Sequence, residues 1–206
     1  YSPLINYNNR IIKNIALETL ALESDSIKNL SKVIDDNFVK IVETLYKSEG
    51  KIILTGTGKS AIICMKISAT LNSTGTKSNF LHLSDAFHGD LGVIDRNDII
   101  ICLSKSGESE EIKKLSDYLK LNKNTLIGIS CNDNSLLKDI SDMFILTEIE
   151  KEACHNNLAP TTSSSCHLAI GDAIAMSLQY IKGFTPDDFS NFHPSGNLGK
   201  KLNLKV

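Results

Sequence analysis

Apolar positions along the chain follow two different periods. Between residues 9 and 48 they recur at three- and four-residue spacing, clearest in Ile27, Leu30, Ile34, Ile41 and Leu45, which predicts two helices. A break is expected at ESDS, residues 23–26, where Asp25 or Ser26 can cap the second helix. From residue 50 the pattern changes to short apolar runs, KIILT, SNFLHL, DIIICLS, NTLIGIS and DMFILT, with helical patterns between them at about 58–73, 109–121 and 135–141. A long helical pattern at about 161–182 follows an irregular loop. Strands alternating with helices need right-handed crossovers and a parallel sheet covered on both faces. The expected fold is therefore α/β, a three-layer doubly wound sandwich with a five-stranded parallel sheet, two N-terminal helices and a C-terminal helical segment. A single domain over residues 1–206 is expected, divided into N-terminal helices (1–48), sheet and crossover helices (49–147), and a loop with C-terminal helices (148–206). Ligands of such sheets bind beyond the carboxyl ends of the strands, so the loops that start at Gly56, Ser104, Cys131 and Glu148 are where chemistry is sought.

Composition narrows the partner. With 22 Lys+Arg against 24 Asp+Glu, the net charge of −2 supplies neither a basic field for nucleic acid nor a polybasic patch for a membrane. The apolar runs are of strand length, and the amino terminus lacks a basic-then-apolar signal pattern. Five cysteines, an odd number without a CxxC pair, point to a reducing cytoplasm and away from structural zinc. Cys64 and Cys102 lie in apolar runs, where thiols act as small hydrophobes. The expectation is a soluble cytoplasmic protein with a small-molecule partner, no cofactor and no metal.

Two loops carry candidate chemistry. GTGKS, residues 56–60, resembles the end of a nucleotide-binding loop. That loop, however, needs a glycine where Ile53 stands, inside the first strand, so a nucleotide site is disfavoured. Gly56, Thr57, Gly58, Lys59 and Ser60 are instead candidates for a smaller anion. The run SKSGESEE, residues 104–111, ends the third strand and opens a helix. Ser104, Ser106 and Ser109 around Gly107 set hydroxyls where free helix N–H groups favour one phosphate monoester. The same octapeptide could simply cap the helix.

These pieces, with STGTKSNFLHLSDAFHGDLGVI, KEAC, LAPTTSSS and FHPSGNLGKKL, occur in an order that resembles the sugar isomerase (SIS) domain of D-arabinose-5-phosphate isomerases, from about residue 10 onward. HGDLG and the HP with GNLG are the most specific to that branch. The resemblance implies a flavodoxin-like sheet and interconversion of D-ribulose 5-phosphate and D-arabinose 5-phosphate through an enediol, toward the acid sugar Kdo of lipopolysaccharide or capsule. It also implies a homotetramer or homodimer with sites shared between subunits. Many members carry CBS repeats beginning about where GKKLNLKV ends this chain, so the sequence is expected to be either a naturally short form lacking them or a trimmed piece of a longer member. Where the family commonly has Pro-Leu-Gly, this sequence has His155, Asn156 and Asn157.

Such an isomerase needs a base near C1 and C2 and an acid or cation where charge develops on oxygen. The resemblance implies proton abstraction by Glu152, a supporting carboxylate in Glu111, and acid–base work or ring opening by His193, reaching into a neighbouring subunit. His88 would meet sugar hydroxyls or assist ring opening, and Lys59 would stabilise the phosphate or the enediolate. Thr161 and Thr162, which open the last long helix, are added to the substrate-binding set. Taken without the resemblance, Glu152 reads as a solvated loop residue, Glu111 as a helix cap and His193 as a packing histidine. His82, His155 and His167 receive no role. The competing readings are a non-catalytic sugar-phosphate-binding module and an isomerase of another phosphosugar.

Overall fold

The runs rich in isoleucine and leucine pair as the strands of one parallel sheet: β1 (Ile52–Gly56), β2 (Ser78–His82), β3 (Ile99–Ser104), β4 (Leu126–Ser130) and β5 (Met143–Leu146), in the order β2-β1-β3-β4-β5. The structure, a computed structural model, describes residues 8–192. Eight α-helices occur among them: α1 (Asn9–Asn29), α2 (Asp36–Lys47), α3 (Gly58–Ser73), α4 (Leu83–Ala86), α5 (Glu110–Asn122), α6 (Leu136–Ile140), α7 (Thr162–Ile181) and α8 (Pro186–Phe192). From β1 the chain crosses to one side to form β2, and later strands are added on the other side. Right-handed crossovers in opposite directions put their helices on opposite faces.

The core shows this division residue by residue. Ile52, Leu54, Ile99, Ile101, Leu103, Ile127 and Ile129 face one layer, built from α2, α3 and α7 and including Ile41, Leu45, Cys64, Leu71, Ile170 and Ile174. The alternate positions Ile53, Ile100, Cys102 and Leu126 face a second layer that includes Ile112, Leu115 and Leu137 of α5 and α6. Both faces of the central strands are covered, so their sequences are continuously apolar rather than alternating. Each fully buried Ile or Leu contributes about 1.5–3 kcal/mol of transfer free energy. Cys64 and Cys102 are buried within these layers, and burial pushes the Cys102 thiol up to about 12.

The expected break at residues 23–26 does not occur. Helix α1 runs through it, because the Ser26 hydroxyl donates back to the Leu22 carbonyl at 2.8 Å instead of capping a new helix. The chain turns later, through a 3₁₀ turn (Leu30–Val33), and Asp35 caps α2 by accepting from the Phe38 N–H at 3.0 Å. The spacing from Ile27 to Leu45 therefore spans three elements. Leu30, Ile41 and Leu45 are buried, whereas Ile27 and Ile34 are exposed. The hydrophobic pattern also predicts no element directly after β2, where the short α4 forms and is followed by a 3₁₀ turn (Asp90–Val93). No helix among the described residues is long and apolar enough to cross a membrane.

Candidate active site

Parallel register brings the carboxyl ends of the strands level. Gly56 stands opposite His82 and Leu103, Ser104 opposite Ser130, and Ser130 opposite Leu146. The loops after β1, β3, β4 and β5 consequently open side by side on one edge of the sheet.

The loop after β1 is short because α3 begins immediately. A Cβ at Gly56 would lie 2.9 Å from the Leu103 carbonyl oxygen and 3.2 Å from the Ser60 Cβ, so glycine is what lets α3 start this close to β3. Thr57 takes the capping position without a side-chain hydrogen bond, and Gly58, Lys59 and Ser60 form the first turn. Lys59 is exposed, and its ammonium bonds to none of the other candidates among the described residues.

The loop after β3 is clamped from the loop after β4. The Lys105 carbonyl accepts from Ser130 Oγ at 3.1 Å and from the Cys131 N–H at 3.2 Å. Asn132 Nδ2 donates to the Ser106 carbonyl at 3.0 Å, and the Leu137 N–H donates to the Gly107 carbonyl at 3.0 Å. Inside the loop, Ser104 Oγ accepts from the Gly107 N–H at 3.0 Å and Ser106 Oγ from the Glu108 N–H at 3.3 Å, which leaves both hydroxyl hydrogens to be given to a ligand. Ser109 caps α5 by position, and Glu111 in its first turn is held below the usual carboxylate range by its own amide N–H and by Ser109. Glu111 also accepts from Ser84 Oγ at 3.3 Å, tying α5 to α4.

Glu152 is 2% exposed, and its donors come from the start of α7 and from Lys105 in the loop after β3. Its Oε2 accepts from the Thr161 N–H at 2.8 Å, the Ser163 N–H at 3.1 Å and Thr161 Oγ1 at 3.2 Å, so the carboxylate caps the amino terminus of α7. Ser163 Oγ donates to Oε1 at 2.5 Å, and the Lys105 ammonium lies 2.8 Å from the same oxygen. The loop is closed by Asn157, whose Oδ1 accepts from the Glu152 N–H at 2.7 Å. Thr161 and Thr162 close it further, their Oγ1 atoms accepting from the Ala153 N–H at 2.9 and 3.0 Å. Burial alone would raise the Glu152 pKa, but Lys105, Ser163 and the α7 amides outweigh it and hold the carboxyl at about 2. In this arrangement the group is ionised and fully engaged, not the solvated loop glutamate that its sequence suggests in isolation.

The structure therefore joins two of the sequence-derived sites, the serine loop and Glu152, through Lys105, a residue the motifs did not single out. Ser163 was missed as well. A lysine directly after a strand on the binding edge was the available signal for the first, and for the second a serine in the opening turn of the long helix. His88 is exposed in the turn after α4, and its imidazole meets none of the other candidates among the described residues. His193 lies outside the described residues. His82, at the end of β2, has an Nδ1 shielded from solvent that makes no hydrogen bond among the described residues and lies 3.6 Å from the Asp85 carboxylate. Beneath the edge, His167 Nε2 is 3.6 Å from Cys131 Sγ, and burial pushes the imidazole down to about 4, so it is neutral. The Cys131 thiol is raised, chiefly by burial, which disfavours a thiolate–imidazolium pair.

A cleft of about 650 Å³ opens beside Glu152, between the loop at Glu150, Cys154 and His155 and the α1 residues Ile15 and Leu22. Helix α1 tethers to α7 through Glu23, which accepts from Ser165 Oγ at 2.7 Å. Ile12, Ile15, Leu17 and Leu20 of α1 are exposed.

Residues 44–177 match the family model described as SIS domain. The chain is 44% identical over 190 residues to the arabinose 5-phosphate isomerase KpsF of Escherichia coli O6:H1 (strain CFT073), an alignment covering 92% of this chain and 58% of that protein. It is 42% identical over 191 residues to the arabinose 5-phosphate isomerase KdsD of Pseudomonas aeruginosa, covering 93% and 59%. The chain thus spans under two thirds of the length of these relatives. A protein of E. coli CFT073 solved in complex with arabinose 5-phosphate superposes with a TM-score of 0.87 at 34% identity, over 91% of this chain and 100% of that one.

Proposed function

The chain belongs to the SIS domain family, and from that premise we propose that it is an aldose–ketose isomerase interconverting D-ribulose 5-phosphate and D-arabinose 5-phosphate. The observation that carries the reading is the buried, ionised Glu152 joined through Lys105 to a serine loop at the start of α5, on the edge of the sheet where α/β proteins bind ligands. Similarity over nine tenths of the chain to proteins named for this reaction supports it.

In this reading Ser104, Ser106, Gly107 and Ser109, with the free N–H groups of α5, hold the phosphate. Gly56, Thr57, Gly58 and Ser60 form the adjoining wall, and Thr161 and Thr162, whose hydroxyls hold the Ala153 N–H, complete the site beside Glu152. Glu152 moves the proton between C1 and C2 of the enediol, with Glu111 in support. Lys59 offsets negative charge on the phosphate or the enediolate oxygen. His88 serves the sugar hydroxyls or ring opening, and His193 serves acid–base transfer or ring opening. The protein would act in the cytoplasm, supplying D-arabinose 5-phosphate toward the Kdo of lipopolysaccharide or capsule.

The chain is proposed to work as a homotetramer or homodimer with composite sites. The exposed apolar residues of α1, of which Ile15 borders the cleft at Glu152, support an interface there. Sedimentation equilibrium should return a multiple of the 22.6 kDa chain mass, and a monomer at micromolar concentration would remove this part.

Incubating the protein with D-ribulose 5-phosphate in EDTA and following aldose signals by NMR tests the reaction. Formation of arabinose 5-phosphate is expected. A second reading, a sugar-phosphate-binding module, is favoured by the fully bonded state of Glu152. It gains if nothing turns over while the sugar phosphate raises the melting temperature.

A further inference from the structure

Lys105 stands inside the serine loop, yet its ammonium is committed to Glu152. Its backbone is fixed by the bonds from Ser130 and Cys131 to its carbonyl. Its side chain is not fixed: it is 39% exposed, and an ammonium has three N–H groups, of which the contact with Glu152 Oε1 at 2.8 Å uses one. Of the remaining donors to that carboxylate, the Thr161 and Ser163 N–H groups cannot leave without unwinding the start of α7, and the other two are the short hydroxyl side chains of the same residues. Cys131 and His167, packed at the same edge, are both neutral. Among the described residues, Lys105 is thus the one charged partner of Glu152, and it sits on a long, partly exposed side chain that can turn toward solvent.

A phosphate dianion bound by Ser104 and Ser106 would sit against the two residues that flank Lys105. It offers the ammonium a doubly charged acceptor in place of a singly charged one already shared among several donors. We propose that Lys105 is a positioning residue that couples phosphate in the serine loop to the state of Glu152. With the loop empty it restrains the carboxylate, and with phosphate bound it turns to the dianion and frees Oε1 toward the substrate. This deepens the isomerase reading above and rests on it. The phosphate of the substrate then does more than add affinity, because its arrival prepares the base.

The test separates the phosphate from the sugar. Turnover of phosphate-free D-ribulose is measured with and without inorganic phosphite, in the wild type and in Lys105→Met and Lys105→Arg variants. Phosphite should stimulate the wild type at least about tenfold, the Met variant less than about twofold, and the Arg variant by an intermediate factor. The Met variant should also show a raised KM for D-ribulose 5-phosphate and, without phosphite, faster D-ribulose turnover than the wild type. A purely structural role would lower the melting temperature of the Met variant and leave the phosphite ratio at its wild-type value, which overturns the proposal. If the wild type turns over neither sugar, the isomerase reading is what fails. The coupling is then read from the ¹⁵N signal of the Lys105 ammonium, assigned by its loss in Lys105→Met. Movement of that signal on adding inorganic phosphate upholds the coupling, and a stationary signal overturns it.

Discussion

Glu152→Gln is expected to lower turnover of D-ribulose 5-phosphate by about a thousandfold, the middle of the range for removing a positioned general base or acid. The amide keeps the shape of the side chain but cannot take the proton. The same change should cost roughly 2 kcal/mol of stability, because the α7 amides, the Ser163 hydroxyl and Lys105 all lose a charged acceptor. That loss depends on pH with a fixed sign. The folded carboxyl titrates at about 2, below the ordinary 4.5, so its contribution is complete above about pH 4.5 and disappears as pH falls toward 2. The difference between 4.5 and about 2 corresponds to on the order of 3 kcal/mol. Urea midpoints for wild type and variant at pH 7, 4.5 and 3 should converge toward acid. A gap independent of pH would mean that Glu152 is not held as an anion, and undiminished turnover would move proton transfer to another residue.

Gly107→Ala should both destabilise the protein and spoil phosphate binding. Gly107 has φ of 70°, and a Cβ there would lie 2.5 Å from Ser135 Oγ and 2.6 Å from its Cβ. Ser135 caps α6, accepting from the Lys138 N–H at 3.4 Å and donating to the Asn132 carbonyl at 3.0 Å, so it cannot yield without loosening that turn. Left-handed strain and the clash together should cost about 2–3 kcal/mol. Displacement of the neighbouring Ser106 should raise KM about tenfold or more. Adding Ser135→Gly, which removes both clashing atoms, should recover part of the loss. A single variant with wild-type urea midpoint and KM would show that the loop does not need this conformation.

Much of the sheet could be read from the chain because its strands are buried on both faces. Runs such as IIICLS are short, rich in β-branched isoleucine and bounded by polar residues, which favours a buried strand over a helix, and the helices predicted between the runs begin within a residue or two of their expected starts. The N-terminal pair was harder, since ESDS offers cap residues whose hydroxyl can equally bond back within a continuing helix, as Ser26 does. Short-range chemistry was similarly ambiguous around His82 and His88, where only a single turn of helix forms. Within the site, the serine loop was visible as a local motif. The Lys105–Glu152 pair was not, because a loop lysine reads as solvated and its partner follows a different strand. Register across β3, β4 and β5, not spacing in sequence, decides which residues meet there.

Strand order also bears on how the chain matures. β1 lies inside the sheet, but its neighbour β3 is more than forty residues later in the sequence, and α7, which packs on α3 and is capped by Glu152, comes later still. A chain folding from its amino terminus therefore holds β1 with one edge unpaired until non-local partners arrive, the situation that slows parallel sheets and exposes them to association. The carboxylate is secured only at the end of this sequence, so no earlier intermediate contains the assembled site.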